Sequence, residues 1–100
     1  MYNNSIEFEY DEWKSRVNVV KHGISFEDAK QLWLVSNIEL AARELSEKRY
    51  MLIGELGGRF FTCIYTYRGS KLRIISVRRS RVKEELAYHE RIEKKEKNNS

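Results

Sequence analysis

The sequence predicts an α+β domain: two N-terminal helices and a C-terminal helix packed on a twisted, mostly antiparallel sheet. Three observations carry this. Two helical stretches meet at a glycine corner early in the chain. Four apolar, β-rich segments follow, separated by short polar or glycine-rich turns. A last amphipathic stretch then runs into a charged tail. The 100 residues suffice for one domain with one modest core, and residues 93–100 are expected to fray.

Residues 6–10, IEFEY, alternate apolar and acidic, as a short half-buried strand does. Asp11 is placed to cap the helix that follows. In that helix Trp13, Val17 and Val20 recur at helical spacing, which predicts a core face. Lys14, Asn18 and Lys21 share a polar stripe beside it. Gly23 ends the helix, because glycine takes a left-handed conformation without a Cβ clash, and Lys21 and His22 suit the negative end of the helix dipole. Ser25 to Asp28, SFED, is a capping box opening a second helix whose apolar side is Phe26, Ala29, Leu32 and Trp33.

Strands are expected at 38–43, 49–56, 59–67 and 71–79, joined by the polar ELSEK turn, Gly57-Gly58, and Arg68-Gly69-Ser70. Such short connections imply an antiparallel meander. Strict alternation in the last strand would set Ile75 and Val77 on one face, with Ile74, Ser76 and Arg78 on the other. Ser80 is a candidate cap for the final helix, whose semi-apolar side holds Val82, Leu86 and Tyr88 or His89.

Composition excludes several functions. No stretch approaches the ~20 apolar residues of a membrane span. The N-terminus lacks the basic start and apolar run of a secretory signal. The single cysteine, Cys63, forms no internal disulfide and fits a reducing, cytoplasmic setting. With two histidines in the chain, no cluster has metal-ligand spacing, and neither a metal nor another cofactor is expected.

The net charge of +4 is unevenly spread. Leu56 to Lys83 carries eight basic side chains and no acidic one, while the rest of the chain is net acidic. Segregation of this kind attracts a polyanion. Tyr65 and Tyr67 lie on one face of their strand between Arg59 and Arg68, where bases can stack on them.

The residues Asp11, Glu12, Lys14, Asn18 and Lys21, the block Lys21-His22-Gly23-Ile24-Ser25-Phe26-Glu27 and Ala29 form a recognisable series. Further on stand Gly54, the Thr66-x-Arg68-Gly69 turn, Arg73-Ile-Ile-Ser-x-Arg78 and Ala87-Tyr88. Over about residues 7 to 90 this resembles the BrnT toxins of bacterial type II toxin–antitoxin systems. The resemblance implies a RelE-like fold, endoribonuclease activity that halts translation, and neutralisation by a BrnA-like antitoxin. Any contact with DNA is then indirect, through that antitoxin.

Cutting RNA without a metal requires a base for the 2′-hydroxyl, cations for the phosphate oxygens and a proton for the leaving 5′-oxygen. His22 is the acid–base candidate, since an unperturbed imidazole titrates near ~6.5. It is equally well placed to cap helix carbonyls. Arg68 and Arg78 match arginines of the family, and their planar forks suit phosphate. Tyr88 matches the family's helical tyrosine, and Glu85 is a candidate partner for an arginine. Lys14, Lys21, Arg59, Arg73 and Arg79 are candidate RNA contacts. Two other readings are a nucleic-acid-binding module without catalysis and a co-repressor that binds the antitoxin.

Overall fold

The computed structural model describes residues 6–42 and 48–98. The end of the expected strand at 38–43 and most of the ELSEK turn lie outside that range. The elements follow in the order β1 (Glu7–Glu9), α1 (Glu12–His22), α2 (Phe26–Ala29) continued by a 3-10 turn (Lys30–Leu34), β2 (Asn37–Ala42), β3 (Arg49–Leu56), β4 (Arg59–Arg68), β5 (Lys71–Arg79) and α3 (Val82–Asn98). The α+β class and this order agree with the sequence reading. α3 continues helical six residues into the stretch expected to fray.

The sheet runs β1-β5-β4-β3-β2. β2 to β5 form the antiparallel meander, and β1 joins its far edge parallel to β5, pairing Glu7–Glu9 with Lys71–Arg73. A parallel strand needs a long crossover, and here α1 to β4 supplies it.

One face of the sheet holds the main core. Leu52, Phe61, Cys63, Tyr65, Leu72, Ile74 and Val77 pack there against Ile24, Phe26, Ala29 and Leu32 of the α2 layer. Each Leu, Ile, Val or Phe of that set fully withdrawn from water is worth roughly 1.5–3 kcal/mol. Gly54 lets that layer sit close: a Cβ there would meet Ser36 O at 3.0 Å and Leu32 Cδ2 at 3.1 Å. The opposite face carries a smaller cluster of Ile38, Ile53 and Tyr88, roofed by α3.

Two expectations fail for physical reasons. Strict alternation along β5 breaks at a β-bulge, because Ile64 pairs with Ser76 while Tyr65 pairs with Ile74, leaving Ile75 as the extra residue. Ile74 and Val77 consequently share the core face. Trp13, Val17 and Val20 do not make a core stripe either. Trp13 is 69% and Val20 87% exposed, whereas the buried positions of α1 are Ser15 and Asn18.

α1 packs through polar groups because it lies against an open strand edge. Beyond β1, no strand among the described residues pairs with the outer edge of β5. The Asn18 amide fills that gap: Nδ2 donates to Val77 O at 2.7 Å and to Ile24 O at 2.9 Å, and Val77 N–H donates to Oδ1 at 3.4 Å. Ser15 Oγ accepts from Phe26 N–H at 2.9 Å. Buried backbone groups left unpaired are costly, so a side-chain amide standing in for a strand is a strong constraint.

Candidate functional site

Local signals written in the sequence fix the corner that carries His22. Asp11 accepts from Lys14 N–H and starts α1. Gly23 ends it at φ 75°, its N–H bonded to Val19 O. Ser25 accepts from Asp28 N–H and starts α2. Each of the two N-caps, Asp11 and Ser25, contributes about 1 kcal/mol. The result is a rigid bend with Lys21 and His22 exposed at its apex.

A groove of about 330 Å³ runs between α1 and the bulged part of β5, lined by Trp13, Lys14, Val17, Lys21, His22 and Ile75 among others. Lys14 and Ile75 also belong to an adjoining recess of about 180 Å³, which Asp11, Arg49, Thr66, Arg68, Arg73 and Ile74 complete. The two concavities are therefore neighbours along the α1–β5 seam, with Lys14 and Ile75 as their common wall. Together they gather five of the expected site residues: Lys14, Lys21, His22, Arg68 and Arg73. Arg73 is partly restrained by Glu9, 3.3 Å away on the neighbouring strand. Arg49 lies in the same recess, and its position was not legible beforehand because nothing in RYMLIGEL marks the first residue as facing another strand's arginines.

Other candidates lie elsewhere. Arg78 follows Ser76 on the α3 side of the sheet, and its guanidinium grips Glu84 with Nη1 at 2.8 Å from Oε1 and Nη2 at 2.9 Å from Oε2. Thr62 Oγ1 donates to Glu84 Oε1 at 2.9 Å, and Arg81 N–H donates to it at 2.8 Å. Burial alone would push the Glu84 carboxyl up, but these bonds outweigh it and hold the group down at about 2. The arginine partner on α3 is thus Glu84, not Glu85. Ser80 spends its hydroxyl on Thr62, 2.7 Å away.

This network also sets the rotation of α3. With Glu84 turned inward, Tyr88, Ala87 and Ile92 face the sheet, while the expected apolar residues Val82 and Leu86 turn to solvent. The Tyr88 ring is buried edge-on against Phe60 at 5.0 Å, with His89 packed beside it.

Arg59 and Arg79 sit on the opposite side of the sheet from Arg68, Arg73 and Arg78. Arg59 shares the side of β4 that carries Phe61, and the Arg79 guanidinium lies 6.0 Å from the Phe61 ring centre. The basic run is therefore divided by the pleat, and only part of it faces the seam. Tyr65 is a core residue hydrogen-bonded to Glu39, while Tyr67 is exposed beside it. Cys63 is buried, and desolvation pushes its thiol up, which makes it unsuited to nucleophilic work.

A family model described as the ribonuclease toxin BrnT of type II toxin–antitoxin systems matches residues 10–84, three quarters of the chain. The chain belongs to the BrnT family. Comparison with curated proteins gives no match. The BrnT match runs from the end of β1 through the first turn of α3. It therefore spans every residue of the α1–β5 seam and both members of the Arg78–Glu84 pair, while Tyr88 lies beyond it. As a BrnT toxin the chain is a ribonuclease of a type II system, with RNA as substrate and an antitoxin as partner. Among the described residues no helix is long and apolar enough to cross a membrane.

Proposed function

We propose that the chain is a metal-independent endoribonuclease that cuts RNA in the α1–β5 seam, acts in the cytoplasm to inhibit translation and is neutralised by a BrnA-like antitoxin. The observation that supports this best is the adjacency along the seam: the groove that holds the His22 imidazole shares Lys14 and Ile75 with a recess rich in guanidinium groups. Cations in place of paired carboxylates suit a reaction whose charge develops on phosphate oxygens.

In this reading Lys14, Arg68 and Arg73 hold the phosphate, with Lys21 meeting the neighbouring one. His22 takes the proton of the 2′-hydroxyl, whose oxygen attacks phosphorus. The bond to the 5′-oxygen breaks, and that oxygen takes a proton from solvent in the open groove. The products are a 2′,3′-cyclic phosphate and a 5′-hydroxyl end. Arg78 lines neither concavity; its guanidinium is engaged with Glu84, which favours an anchoring role for it over phosphate contact. The burial of Tyr88 supports a packing role over contact with the scissile bond.

The test is cleavage of RNA by purified protein in EDTA, with the ends analysed. Cyclic phosphate ends that persist in chelator support the reading. Cleavage that vanishes in chelator and returns with a divalent cation would overturn it, and growth on induction unaffected by the wild-type chain would remove the toxin role.

A further inference from the structure

α1 turns an apolar stripe to solvent. Trp13, Val17 and Val20 stand at i, i+4 and i+7, so they lie on one side of the helix over ~10 Å. Trp13 and Val20 are among the most exposed large apolar residues described, although their spacing is that of a core face. Lys14 and Lys21 line the groove side, and Arg16 stands on the other with Glu12 one turn before it, all exposed. Exposed apolar surface framed in this way marks an interaction site.

We infer that this stripe and the groove beside it receive an acidic amphipathic segment of a protein partner. The segment's apolar side chains would lie on Trp13 and Val17 and enter the groove. Its carboxylates would meet Lys14, Lys21 and Arg16. The charge pattern selects an acidic occupant, and the aliphatic Val20 and Val17 select a protein over RNA, whose bases gain most from aromatic rings and whose backbone needs only the cations. The concave floor favours inserted side chains over a flat bilayer. Trp13, Lys14, Lys21 and His22 line the same groove, so the bound segment would cover the cutting site. Neutralisation is then occlusion rather than a change of fold. This deepens the reading above: it rests on the antitoxin being the partner, but not on His22 being catalytic.

Val20→Glu and Arg16→Glu test it, since both residues are exposed and neither lines the groove. Each variant is titrated with the cognate antitoxin, and separately with a labelled single-stranded RNA. The expected result is an antitoxin Kd at least tenfold weaker for each variant, with RNA affinity and melting temperature unchanged. Antitoxin binding within twofold of wild type would overturn the proposal. So would a loss confined to RNA, which would make the stripe a nucleic-acid surface, or wild-type binding to anionic vesicles that both variants abolish. Because the readout is association, it holds whether or not the protein cleaves RNA.

Discussion

Arg78 on β5 and Glu84 on α3 are joined by two parallel hydrogen bonds, at 2.8 and 2.9 Å, in a site where Thr62 and the Arg81 amide also point at the carboxylate. The pair ties the first turn of α3 to the sheet. Glu84→Gln keeps the shape but removes the charge, leaving a half-buried guanidinium without its counter-ion. The expected loss is about 1–2 kcal/mol, below that of a fully buried pair because the site retains some access to water. Urea unfolding measures it.

The same pair predicts a pH signature. The folded-state value for Glu84, about 2, lies below its ordinary 4.5, so ionisation favours the folded protein. The contribution is complete above the ordinary value and is lost as pH falls through the folded one. The stability gap between wild type and Glu84→Gln should therefore shrink from about pH 5 towards about pH 2. A gap constant over that range would show that the carboxylate is not held ionised by its partners.

Asn18→Ala should destabilise the protein by about 2–3 kcal/mol, because it strips partners from the buried Val77 and Ile24 carbonyls and the Val77 N–H at once. The thermal midpoint reads this directly. Amide exchange should rise in α1 and at Val77 before it rises in β3 and β4.

Gly54→Ala probes the close approach of the α2 layer. The added methyl meets the backbone oxygen of Ser36, which has little room to yield, so a loss of about 1–3 kcal/mol is expected. A neutral or stabilising result in chemical denaturation would contradict the packing at this crossing.

Much of this architecture was legible because its signals are local. Asp11, Gly23 and Ser25 each satisfy a helix end within a few residues, and Gly57-Gly58 closes its hairpin at φ 59° and 81°. The bulge at Ile75 was not legible, since an extra residue in a strand leaves the composition unchanged. Nor was the outward turn of Trp13 and Val20: a core stripe and a docking stripe have one and the same spacing. The division of the arginines by the sheet depends on pleat parity, which the bulge itself alters. Choosing Glu84 over Glu85 needed the rotation of α3, which is fixed by Thr62 from a distant strand.

His22→Ala should lower RNA cleavage by roughly 10²–10⁴-fold, the usual contribution of a general base. The side chain is exposed, so the melting temperature should stay near that of wild type. Full cleavage by this variant would assign the proton transfer to another group.

The most direct measurement is the salt dependence of single-stranded RNA binding for Arg68→Ala against Arg59→Ala, two arginines of one strand on opposite sides of the sheet. If the α1–β5 seam holds the phosphates, Arg68→Ala weakens binding and lowers the log–log slope by about 0.7, while Arg59→Ala leaves both unchanged. Equal losses for the two variants, or a loss for Arg59→Ala alone, would contradict the seam as the site where RNA is held.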